Sequence, residues 1–105
     1  MKIETRTLSP LLVRADVVVT AGVQHKMKDD PDFSLDVAVA VFRFQSLDWG
    51  DTCSTDRETN EASLKTGDRL FAAYNTTGGR IYIIADATEQ GRPYKLITVL
   101  LPSEY

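Results

Sequence analysis

A chain of 105 residues, 43% hydrophobic and 26% charged, is expected to fold as one globular domain around a single core, since it is too short to build two. A formal net charge of −3 and a pI near 5.0 exclude a protein that holds nucleic acid by neutralising phosphates, which takes a clustered excess of Lys and Arg. A mimic of DNA fits poorly too, because ten base pairs carry roughly twenty phosphate charges, although a local acidic patch stays open. The single cysteine makes no internal disulfide and Met1-Lys2-Ile3-Glu4 opens no apolar signal segment, so the cytoplasm is the expected compartment. The longest apolar runs, residues 17–19 and 37–42, are far too short to span a bilayer, and no membrane association is expected.

In chain order, residues 2–8 alternate loosely up to Ser9-Pro10 and read as an edge strand or an ordered arm. The β-branched run over residues 11–19 predicts a strand. Thr20 caps a short helical turn over residues 21–27, and Lys28-Asp29-Asp30-Pro31-Asp32 is a polar break whose proline opens the next helix. Residues 33–44 suit a strand by propensity, but Phe33, Val37, Ala40, Val41 and Phe44 fall on one helical stripe, with acids near the first turn and Arg43 near the last, which predicts a helix. Asp48-Trp49-Gly50-Asp51 then breaks the chain. Thr55-x-x-Glu58 has the capping-box pattern of a second helix running to about Lys65, with Gly67 as its terminating glycine. Strands are expected over residues 69–74, 80–85 and 95–101, joined as an antiparallel meander. The sum is an α+β domain over residues 1–105, with two or three short helices on one face of an antiparallel sheet of four or five strands.

Asp48-Trp49-Gly50-Asp51, Asn60-x-x-Ser63-Leu64-x-x-Gly67-x-Arg69-Leu70-x-x-x-Tyr74, Arg80-Ile81-Tyr82-Ile83-Ile84 and Thr98-Val99-Leu100-Leu101-Pro102-Ser103-Glu104-Tyr105 together resemble a family of short bacterial proteins encoded on plasmids, conjugative elements and phages, some of which carry the label of a type I restriction–modification M subunit. The resemblance runs from about Val18 onward and implies an accessory protein of mobile elements. Family members tend to have an Arg-His pair where this chain has Arg43-Phe44, and a shorter last hairpin. The M-subunit label itself fails on chemistry: an adenine methyltransferase needs a doubly wound domain with a glycine-rich first turn and an Asn-Pro-Pro-aromatic loop, and this chain has neither.

Among the chemically loaded residues, Cys53 lies just before the second helix, where exposed N–H groups lower a thiol pKa, but no second cysteine and only one histidine stand with it, and a small semi-buried side chain is the stronger reading. His25 sits on a basic turn beside Lys26 and Lys28 and reads as solvated or capping. Asp29, Asp30 and Asp32 lack the downstream glycine and glutamate of a calcium loop, Pro31 interrupts them, and they read as the start of a helix. Gly78-Gly79 reads as a hairpin turn and not a phosphate loop.

No catalytic residue, metal or cofactor is expected. Asp48 and Asp51 either hold the turn, with Trp49 plugging the seam between helices and sheet, or flank an exposed aromatic anchor for a protein partner. On the binding reading the candidate contact residues are Asp48, Trp49, Asp51, Arg69, Tyr74, Glu104 and Tyr105. The function expected is protein binding by a monomer or small homo-oligomer, with inhibition of a host restriction or CRISPR complex as its sharpest form. The alternative is a small enzyme using Cys53 or the Asp pair.

Overall fold

A computed structural model describes residues 7–105; the edge strand or arm expected over residues 2–8 falls almost wholly outside them. Strand β1 (Asp16–Val19) leads into helices α1 (Ala21–Asp29) and α2 (Pro31–Gln45), followed by α3 (Ser54–Thr66), strands β2 (Leu70–Thr76), β3 (Gly79–Ala85) and β4 (Leu96–Leu100), and a 3₁₀ turn over Pro102–Glu104. This is an α+β fold with an open four-stranded sheet in the order β1-β4-β3-β2.

The strand expected over residues 11–19 is shorter at its start. Ser9 accepts from the Leu11 amide through Oγ (3.2 Å) and from the Leu12 and Val13 amides through its carbonyl (3.0 and 2.9 Å), so residues 10–14 coil into a turn that buries Leu12. The hydroxyl and the fixed φ of Pro10 outweigh β propensity here. The all-antiparallel sheet is corrected as well: β1 runs parallel to β4, pairing Asp16 with Leu96 and Val19 with Val99. Parallel pairing needs a crossover, and three helices and a hairpin supply it.

The helix over residues 33–44 is present and longer. Asp30 accepts from the Phe33 amide (3.1 Å), Pro31 sits in the first turn, and Phe33, Val37, Ala40 and Phe44 are buried. Its end is a Schellman motif: the Asp48 amide reaches the Arg43 carbonyl (2.8 Å) and the Leu47 amide the Phe44 carbonyl (3.1 Å), with Leu47 at φ 64 where glycine is usual. On the sheet, Leu70, Ala72, Tyr74, Ile81, Ile83, Ala85, Ile97 and Val99 meet this helix stripe in one core cluster.

Helix α3 begins with Cys53 as its N-cap, two positions before the Thr55 of the expected capping box, and Cys53 makes no capping bond. Thr55 instead accepts from the Thr59 hydroxyl through its carbonyl (3.0 Å). An exposed Cys53 in cap geometry (φ −64, ψ 158) lacks only an acceptor. Cys53→Ser supplies one, and thermal melting should show a gain of about 0.5–1 kcal/mol; a loss of stability would mean the thiol is packed after all.

The polarity of α3 follows from where it packs. It seals the outer edge of β2 rather than a sheet face, so the groups it buries are hydrogen-bonding ones. The Asn60 amide donates to the Phe71 carbonyl (2.7 Å) and accepts from the Phe71 N–H (3.1 Å), as a neighbouring strand would.

Candidate functional site

The seven candidate contact residues separate into two groups toward opposite ends of β2. The first is built from the end of α2 and the break that follows. Arg43 grips Asp48 with two bonds, Nε to Oδ2 at 2.9 Å and Nη2 to Oδ1 at 3.1 Å, and the Gly50 amide donates to Oδ1 at 3.0 Å. Donation to the Asp48 carboxylate raises the pKa of Arg43 above the usual guanidinium value. The Tyr74 hydroxyl donates to the Asp48 carbonyl (2.7 Å), and the Arg43 guanidinium stands 5.4 Å from the Tyr74 ring. Burial, with the Asp48 charge behind it, pushes the Tyr74 hydroxyl far above the ordinary tyrosine range, so it serves as a donor and not as a base.

Asp51 continues the edge seal. Its amide donates to the Ala73 carbonyl (2.8 Å), its Oδ2 accepts from the Asn75 amide (2.8 Å), and Thr52 Oγ1 accepts from the Ala73 amide (2.9 Å). Arg57, from α3, donates to the Thr52 and Gly50 carbonyls at 2.7 and 2.6 Å. Trp49 is 6% exposed. Its indole N–H donates to Glu61 Oε1 (2.9 Å) and its ring meets Phe44 edge-on at 5.5 Å between centroids. Asp48, Trp49, Asp51 and Tyr74 therefore make one internal clamp that binds the 48–51 turn to β2. Glu61, Thr52 and Arg57 belong to it and lay outside the sequence reading; only Trp49, whose N–H demands a partner when buried, signalled that one was needed.

The second group gathers where the chain turns back after β4. Glu104 Oε1 accepts from the Thr20 hydroxyl (2.6 Å) and the Leu101 amide (2.9 Å), and Oε2 from the Gly22 amide (3.2 Å). The carboxylate thus sits on the first turn of α1, where donors and helix dipole favour negative charge. These bonds, the Thr20 hydroxyl foremost, hold the Glu104 pKa below its ordinary 4.5. A depressed carboxylate pKa stabilises the fold fully above 4.5 and loses that contribution as pH falls through the folded value. Glu104→Gln should therefore melt below wild type at neutral pH, and the gap should close as pH drops below about 4.5; a gap independent of pH would show that the charge does not hold the latch.

Tyr105, next along, lays its ring edge-on against Phe71 and Tyr82, each 5.6 Å between centroids, and Arg69 Nη2 donates to its hydroxyl (2.9 Å). Arg69, Phe71, Tyr82 and Tyr105, with Asp56, Thr59 and Asn60, line a cleft of about 380 Å³. The cleft lies on the sheet face turned away from α1 and α2. Val18, Thr98, Ile84 and Phe71 are in register across that face, with Leu100 and Tyr82 in the next row, and most are only half-buried. Phe71 and Tyr82 are the residues the sequence reading missed, although the alternation of Tyr82 and Ile84 against Ile81 and Ile83 carried the signal of two apolar faces.

The remaining loaded residues stay apart. His25 is exposed on α1, Asp30 is the cap of α2, and among the described residues no three His, Cys, Asp or Glu side chains are grouped to hold a metal ion. No helix among them is long and apolar enough to cross a membrane. Compared with known proteins, the chain matches no family model, no curated protein and no solved structure.

Proposed function

We propose that this chain is a small non-enzymatic accessory protein of mobile genetic elements that acts in the host cytoplasm by binding a protein partner, as an inhibitor of a restriction or CRISPR complex would. The observation that carries the binding reading is the open sheet face: Phe71, Tyr82 and Tyr105 with Arg69 beside them form an aromatic and cationic strip on a rigid sheet, continued by Ile84 and Val18, the last 44% exposed. Tyr and Arg dominate binding hot spots, and rings already held by one another lose little freedom on docking. An acidic or amide-bearing segment that stacks on Tyr105 and pairs with Arg69 is the partner chemistry this strip fits. The assignment to mobile elements rests on the resemblance in the Asp48-Trp49-Gly50-Asp51 and C-terminal segments. Against the enzyme alternative, both Asp48 oxygens and one Asp51 oxygen accept bonds from within the clamp.

The test joins binding to biology. Bacteria expressing the chain are challenged with restricted or targeted phage and plasmid DNA, and the tagged chain is recovered with whatever it holds. Wild type should raise the efficiency of transfer and retain a defence subunit, and Thr98→Arg, which sets a charge in the middle of the strip, should abolish both with an unchanged melting temperature. Protection that survives Thr98→Arg would remove the sheet face from the proposal, and no protection against any defence system would remove the inhibitor reading.

A further inference from the structure

Helix α2 is apolar on two sides. Its inner stripe is in the core, while Leu35, Val39 and Phe42, spaced i, i+4 and i+7, are 64%, 49% and 44% exposed on one outer stripe, with Ala38 exposed between them. Single exposed apolar residues are ordinary, but three along two turns of one helix form a seam of the kind helices use to pair. The charges of α2 flank this seam. Asp36 and Arg43 lie seven residues apart, hence on the same side of it, with the acid in the N-terminal half and the base in the C-terminal half. Each is only partly engaged within the chain: Thr77 binds Asp36 at Oδ2 alone, and Arg43 meets Asp48 through Nε and Nη2.

We propose that the outer face of α2 pairs with α2 of a second copy of this chain, antiparallel about a two-fold axis, to form a homodimer. In that arrangement Leu35 packs over the partner's Phe42, the small Ala38 lets the helices approach at the centre, and like flanks face one another, so Asp36 meets the partner's Arg43 at both ends. A parallel pairing would lose this charge match, and a two-fold contact is self-complementary by construction. The opposed helix dipoles also favour the antiparallel pair. A 15-residue helix is about 22 Å long, so the contact falls below the roughly 800 Å² per partner of a standard interface and the dimer should be reversible. The proposal is independent of the binding reading, because α2 covers one sheet face and the aromatic strip lies on the other.

Sedimentation velocity of the full chain from roughly 1 µM to 1 mM should show a monomer–dimer equilibrium. Val39→Glu should weaken it by about tenfold or more, and Asp36→Lys, which sets like charges opposite the partner's Arg43, should weaken it as well. Val18→Glu, on the open sheet face and off the α2 seam, should leave it intact. Leu35→Gln serves as a second seam variant should Val39→Glu melt early. A monomer throughout the range, or a dimer indifferent to the seam variants, overturns the proposal. Loss with Val18→Glu alone would move the contact to the open sheet face, and indifference to Asp36→Lys would overturn the antiparallel arrangement.

Discussion

Replacing Trp49 by alanine should destabilise the domain by about 3–5 kcal/mol, the range for removing a large aromatic side chain from a core. Three contributions act together. The ring is 6% exposed and leaves a cavity beside Phe44, the edge-on aromatic contact is lost, and Glu61 loses the indole N–H. Domains of this size are typically stable by only about 5–15 kcal/mol, so thermal melting should fall by tens of degrees or the chain should fail to accumulate. Trp49→Phe separates the terms: it keeps most of the apolar volume and loses the bond to Glu61, and about 1–2 kcal/mol is expected. A Trp49→Ala chain that melts like wild type would show that the indole does not pack as described. Any loss of partner binding in that variant is to be read only alongside its melting curve.

The elements that were legible in the sequence are those whose physics is local. The α2 stripe and the acid-proline start at Asp30 and Pro31 determine a helix without help from the rest of the chain, and the alternation in residues 81–84 determines β3. What was not legible depends on partners distant in sequence. Residues 11–15 carry strand propensity, but the Ser9 turn and the contacts of Leu11 and Leu12 with Tyr94 and Gln45 hold them as a turn. The parallel placement of β1 beside β4 depends on where three helices deliver the chain, and no local pattern encodes it. The polar character of α3 was visible; its reason, a strand edge needing hydrogen bonds from Asn60, was not.

The candidate site divides along the same line. The residues of the Asp48 to Asp51 turn stood out because of their chemistry, and a carboxylate pair around a tryptophan has the same sequence whether it faces solvent or closes a clamp. Their partners decide between the two, and Tyr74, Glu61, Arg57 and Asn75 lie from 7 to 26 residues away. Glu104, which the sequence offers as a contact residue, caps α1 from 82 residues away. Tyr105 and Arg69 do meet, on the open strip, and there the exposed rings are not used up by the fold.

Gly50→Ala should be nearly as damaging as Trp49→Ala, for a different reason. Gly50 has φ +61, a conformation that costs an L residue roughly 1–2 kcal/mol, and a Cβ built there would run into Tyr74 Cδ1 and lie 3.0 Å from the Ala73 carbonyl. The ring cannot simply turn aside, because its hydroxyl is bound to the Asp48 carbonyl and Arg43 stands over its face. Either the ring moves and breaks its bond to that carbonyl, or the turn lifts off β2 and takes the bridge between Gly50 and Ala73 with it. Overpacking of this kind adds about 1–3 kcal/mol, for a total near 3 kcal/mol or more. A double-mutant cycle resolves the two terms. In a Tyr74→Leu background the clash is relieved, and Gly50→Ala should then cost only the backbone term, so a coupling of more than about 1 kcal/mol is expected. Equal costs in both backgrounds would mean that the ring and the turn do not press on each other, and the clamp would have to be assigned to Arg43 and Asp48 alone.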